Sequence, residues 1–82
     1  MLLQVVLETM KMHPNHTEVV LHACWALSHM SVNAANRVTI IVQGGVAASR
    51  DVKRNHPGNG EIQNIADGLL AALQFGLLSA LH

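Results

Sequence analysis

The chain has 82 residues, half of them apolar and 12% charged, with five Lys and Arg balancing five Asp and Glu. A chain this short is one small domain that buries only about 60 to 65% of the surface it exposes when unfolded. Its apolar content excludes disorder, and its zero net charge provides no overall field toward nucleic acid or an anionic membrane.

The N-terminal stretch MLLQVVLETMKM lacks a positively charged leader and a small-residue cleavage site, and Glu8 comes early, so no secretory signal is expected. Within it Leu3, Val6, Leu7 and Met10 fall at the i, i+3, i+4, i+7 spacing of an amphipathic helix. Pro14 biases His13 away from helical geometry and ends that helix. Asn15 then stands where an N-cap belongs, with Glu18 three residues on as its capping-box partner.

A second helix is predicted over about residues 17 to 31. At 100° per residue, Val19, Ala23, Ala26, Leu27 and Met30 share one face, the expected core stripe. Leu21, Trp25, Ser28 and His29 lie on the other side. The single Trp25 is the most informative residue there. It is either buried against a neighbouring element or an anchor for a partner, since large aromatics dominate both cores and binding hot spots.

Asn33 or Asn36 is placed to cap a short third helix with Val38, Ile41 and Val42 as its apolar stripe. The run VTIIV taken alone favours a strand, but the chain offers no strand partner for it. Gly44 and Gly45 then mark a helix stop and a tight turn. Residues 46 to 55 follow. Aligned on the first helix, they set Val46 against Leu3, Ser49 against Val6, Arg50 against Leu7 and Lys53 against Met10, so three of the four anchors turn polar. This helix is expected to pack poorly or to turn its buried stripe elsewhere. The basic trio Arg50, Lys53 and Arg54, interrupted by Asp51, is read as a solvated face, too small for a nucleic-acid footprint.

At His56 the chain begins again. HPGNGEIQNIADGLLAAL is a degraded copy of HPNHTEVVLHACWALSHM, which starts at His13, 43 residues earlier. Core positions stay apolar in the copy (Ile62, Ala66, Leu69, Leu70, Leu73), whereas the opposite face becomes small or polar (Asn64, Gly68, Ala71, Ala72). A shared interior with a changed outer face is the pattern of stacked repeats. From Gly68 to Leu81 the chain is nearly all apolar, but 14 residues fall short of the roughly 20 that span a bilayer, and no membrane segment is expected.

The 43-residue period lies inside the roughly 40 to 47 of armadillo and HEAT units. The segments CWALSHM and NAANRVTIIVQGGV and the HPN-x-x-EV start resemble armadillo repeats of the divergent kind with His-Pro-Asn turns. The resemblance implies an all-α solenoid of about five helices forming one domain. Residues 2 to 31 would be the last two helices of one repeat, 33 to 75 the next repeat, and 76 to 82 a helix extension or tail. It also implies a non-enzymatic scaffold that binds protein or peptide along the third helix of each unit. In peptide-binding members of that family a Trp and, four residues on, an Asn hold the peptide. Trp25 matches the first and His29 occupies the second, while Gly68 and Ala72 stand at those places in the copy. The partner-binding residues expected are therefore Leu21, Trp25, Ser28 and His29. The apolar composition also admits a homo-oligomer, and a truncated solenoid piece acting in self-association or as a cap is the alternative role.

Six histidines raise the question of a metal, through His13 with His16 or His22 with His29 near Cys24. Structural zinc needs four convergent ligands, and Cys24 points about 160° from His22 around the helix, so no metal or other cofactor is expected. The same geometry defeats a Cys-His nucleophile, and no catalytic residues are assigned. Cys24 is read as a small residue flanking the core. A single cysteine forms no internal disulfide and fits a reducing, cytoplasmic setting.

Overall fold

The computed structural model describes the backbone of residues 2–80 and the side chains of residues 3–74. Among the described residues the chain is all helical: α1 (Leu2–Met12), α2 (Thr17–Met30), α3 (Ala34–Val42), α4 (Gly45–Asn55) and α5 (Gly60–Ala80). The expected helix extension or tail over 76 to 82 is part of helix α5 as far as Ala80, and Leu81 and His82 lie outside the described residues. No described helix is long and apolar enough to cross a membrane.

Two helix pairs joined by matching turns form the body. In the first turn the His13 amide donates to the Thr9 carbonyl (3.1 Å) and the His16 amide to the His13 carbonyl (3.2 Å). The same two bonds recur 43 residues later, from His56 to Val52 (3.1 Å) and from Asn59 to His56 (3.2 Å). The caps match as well. His16 Nδ1 accepts the Val19 amide at 3.3 Å and Asn59 Oδ1 accepts the Ile62 amide at 3.0 Å, so each satisfies one of the orphaned donors of its helix start. The cap of α2 is thus His16 and not the expected Asn15. Pro14 and Asn15 form the turn itself, so the cap falls one place along while the helix begins at Thr17 as expected. The two turns are tied to each other, since His56 Nε2 donates to the Pro14 carbonyl at 2.8 Å.

Packing follows the same pairing. α5 lies against α2 and α4 to a similar extent, and α1 lies against both α2 and α4. α1 buries Leu3, Leu7 and Met10 as its spacing predicts, with Val6 packed against the edge of the core. In α2 the buried residues are Val20, Ala23, Cys24 and Leu27, whereas Val19, Ala26 and Met30 of the expected stripe are only half-buried. α2 is wedged between α1 and α5, and the core side of the helix is turned toward α5 by less than one residue step. α5 buries Ile62, Ala66, Leu69 and Leu73 completely.

α3 spans the β-branched run as a helix. Asn33 caps it, its Oδ1 accepting the Ala35 and Asn36 amides at 2.9 and 3.2 Å. Ile40 is its one fully buried residue. Val38 and Val42, expected in the stripe, are 52% and 76% exposed, and Ile41 is half-buried. A nine-residue helix lying across α4 and α5 seats a single row of side chains, and that row centres on Ile40. The two glycines that follow do different jobs. Gly44 takes φ +86°, the left-handed geometry that L side chains avoid. Gly45 sits so close to α3 that a Cβ would stand 2.3 Å from Ile40 Cγ2 and 2.8 Å from the Ile40 carbonyl oxygen.

α4 resolves the problem of its polar anchors by turning its stripe. Ala48, Ser49 and Val52 are buried, while Arg50 faces solvent and Lys53 is half-buried. Ser49 is fully buried at no polar cost because its hydroxyl donates to the Gly45 carbonyl at 2.8 Å. Helix ends are closed by long polar side chains. Arg37 donates to the Ser31 and Val32 carbonyls beyond α2 (2.7 and 3.3 Å), Lys11 to the Gln43 carbonyl after α3 (3.2 Å), and Gln63 to the Lys53 and His56 carbonyls at the end of α4 (2.9 and 2.8 Å). Each places a donor, two of them cationic, where carbonyls lack intrahelical partners.

Candidate functional site

The outer side of α2 carries the exposed aromatic. Trp25 is 43% exposed, and His22, one turn earlier, lies against it with ring centroids 5.7 Å apart and planes inclined at 55°. Residues three apart on a helix are neighbours, so the pair follows directly from the sequence His22-Ala-Cys-Trp25. His29, four residues on, is exposed. Leu21 and Ser28 turn inward and are half-buried, Leu21 packing against the core. Of the four residues expected to bind a partner, Trp25 and His29 are exposed on one outer ridge with His22, while Leu21 and Ser28 are half-buried and not part of it. His22 belongs to this surface, although its spacing in the sequence suggests only a metal ligand.

Beside the ridge runs an apolar groove between α1 and α2, about 440 Å³ in volume. Val5, Val6 and Thr9 form one wall, and Val19, His22, Ala23 and Ala26 the other. Glu18 and His16 stand at one end, and no Lys or Arg lines it. Val19 and Ala26 reach this groove because α1 alone covers that side of α2. Periodicity identifies an apolar face on a helix, but it does not say which neighbour covers the face, and for that reason it does not reveal the groove. His22 lines the groove and packs on Trp25, joining the two features into one surface.

The remaining candidates have structural employment. Cys24 is fully buried, its thiol 3.8 Å from Met10 Sδ, and burial pushes its pKa up to about 11. A thiol held protonated inside the core is no nucleophile at neutral pH. His22 is exposed, on the far side of the helix from it. Among the described residues no three His, Cys, Asp or Glu side chains converge as a metal site would require. In the basic trio, Lys53 pairs with Asp67 of α5 and Arg54 with Asp51 at 3.4 Å. Pairs this exposed contribute about 0 to 1 kcal/mol each, so they shape the surface more than they hold the fold.

Comparison with protein-family models, with curated proteins and with solved structures gives no match to this chain.

Proposed function

We propose that the chain is a non-enzymatic protein-interaction module of armadillo-like build, in which α2 is the recognition helix and the ridge of Trp25, His22 and His29 contacts an extended peptide or a protein segment. The observation that carries this reading is the exposure of the chain's one tryptophan on the outer side of α2, beside an apolar groove. Half-exposed aromatics with a polar edge are efficient anchors because they bury a large area at little conformational cost. The matching turns 43 residues apart, and the pairing of α1 with α4 and of α2 with α5, support a repeat architecture with α2 and α5 as equivalent third helices. In α5 the positions of Trp25 and His29 are Gly68 and Ala72, so recognition is concentrated on the first unit.

The test is selection of peptides from a displayed random library against the whole chain, followed by affinity measurement on Trp25→Ala. The expected result is a loss of tenfold or more with the melting temperature held. Peptides that bind the variant as well as the parent would refute the assignment. His29→Asn, which installs the amide of the resembled pattern, is expected to hold or improve affinity.

The reading of the chain as a structural piece rests on a separate observation, the open groove itself.

A further inference from the structure

The groove has a counterpart inside the molecule. Shifting its lining by the 43-residue period takes six of the nine residues, Val5, Val6, Thr9, Val19, Ala23 and Ala26, to Ala48, Ser49, Val52, Ile62, Ala66 and Leu69, and the other three, His16, Glu18 and His22, to Asn59, Glu61 and Ile65. The six counterparts of the first set are all buried, five of them among the hydrophobic core residues and Ser49 completely, while Asn59 and Ile65 are half-buried and Glu61 is exposed. The contrast is greatest at the first pair, where Val5 is 60% exposed and Ala48 is 6% exposed. Of the six, only Ala23 is already buried in the first unit, so the same face of the same helix pair is more open there than in the second.

What covers it in the second unit is known. α1 and α2 lie on α4 and α5, with α3 across them, and Met10 faces Ala48 and Val52 across a common cleft. The covering surface is the aliphatic stripe Leu3, Leu7, Met10, Val20, Cys24 and Leu27, all buried. The chain thus contains both halves of one stacking interface and displays the receiving half a second time. Among the described residues its other end does not display the donating half in full. The counterparts of Leu3 and Leu27, Val46 and Leu70, stay apolar and half-buried, but those of Leu7, Met10, Val20 and Cys24 are Arg50, Lys53, Gln63 and Asp67, and the Lys53–Asp67 ion pair lies across them. A second copy offering its far end would bring those polar groups against the groove, and burying them there is costly.

We infer that the groove between α1 and α2 is a docking face for a further helical unit of the same build as residues 2–43, presenting an aliphatic stripe like that of Leu3, Leu7, Met10, Val20 and Leu27, while the end bearing Lys53 and Asp67 is a polar stop. Among the described residues the receptive face is this groove. The groove adjoins the Trp25 ridge through His22, but the inference rests on the aliphatic walls and not on Trp25 or His29, and a failed peptide selection leaves it standing.

A chain extended by one period tests it directly. Residues 1–45 are placed ahead of Leu3 of the whole chain, so that Gly44 and Gly45 make the turn into the original α1. Stacking units adds an interface, and a single cooperative transition with a midpoint raised by about 5 °C or more is expected. Val5→Glu in the original α1 is expected to shift the unextended chain by less than about 2 °C and to abolish the gain in the extended one, where that position becomes the counterpart of buried Ala48. In the added copy, whose groove remains open, the same substitution is expected to have no effect. Two separate transitions, an unchanged midpoint, or equal effects of Val5→Glu in both chains would overturn the inference. So would light scattering showing that the unextended chain forms a dimer that Val5→Glu disperses, since the groove would then belong to a second copy.

Discussion

Gly45 carries the tightest single-residue constraint, and it separates two meanings of a Gly-Gly pair that look alike in the sequence. A Cβ there would meet the Ile40 carbonyl, which is backbone and cannot swing aside. Gly45→Ala is expected to cost about 1 to 3 kcal/mol by overpacking, and Gly44→Ala about 1 to 2 kcal/mol through its left-handed φ. Gly68 is the opposite case. It is helical and exposed, and a methyl added there would meet nothing within 4 Å, so Gly68→Ala is expected to stabilise the chain by about 0.5 to 1 kcal/mol. Urea denaturation of the three variants checks all of these. Cys24 adds a pH dependence. The unfolded thiol ionises near 9.0 and the folded one near 11, so between those values the unfolded chain loses a proton that the folded chain keeps. Its contribution to stability is complete below pH 9 and falls by at most about 1.4 kcal/mol per pH unit up to pH 11. At pH 8 a disulfide reagent is expected to label Cys24 only as fast as the chain opens. Prompt labelling of the native protein would contradict its burial. Cys24 is legible in the sequence as a small residue near the core, but its place at the centre is not, because that depends on how far α2 is rotated.

At the scale of elements, the helices are legible in the sequence and their facing is not. The stripe of α1 is legible because that helix has one dominant apolar face. α2 has apolar residues around most of its circumference, and its burial is decided by the position of α5, which no local pattern encodes. In α3 the β-branched run forms a helix under tertiary packing, against its local preference, and Ile40 displaces the expected anchors because the helix seats only one row. The repeated turn offers a clue to the true cap. His16 and Asn59 occupy the same place in the two copies, while Asn15 aligns with Gly58. His16→Ala and Asn59→Ala are each expected to destabilise the chain by about 1 kcal/mol, with His16→Asn neutral or stabilising. Asn15→Ala is expected to leave stability within about 0.5 kcal/mol, and thermal melts of the four variants check the assignment. For α4, the alignment on α1 correctly flags Arg50 and Lys53 as non-core, and the structure supplies the stripe of Ala48, Ser49 and Val52 that replaces them. Amide exchange is accordingly expected to be slow at Ser49 and Val52 and fast toward the start of α4.

Across the whole molecule, the 43-residue repetition is the most reliable signal in the sequence, and the turns and the pairing of helices follow it. Its consequence for the two ends is out of the sequence's reach. Which residues of a repeat are covered depends on the order in which units stack, and only the three-dimensional arrangement shows that the stripe of the first unit covers the second while the groove of the first stays open. The outer ridge is legible in part. The helical wheel puts Trp25 and His29 outside, but it does not show that Leu21 and Ser28 tuck inward or that His22 takes their place beside the tryptophan.

The central claim is that this ridge, with Trp25 exposed at 43%, is where a partner binds. Because Trp25 is the chain's one tryptophan, its fluorescence reports that surface alone. Acrylamide quenching of the whole chain, measured with and without a saturating selected peptide, is the most direct test. The account predicts reduced quenching and a blue-shifted emission when the peptide is bound. Unchanged quenching and emission at saturation would place the binding surface elsewhere and contradict it.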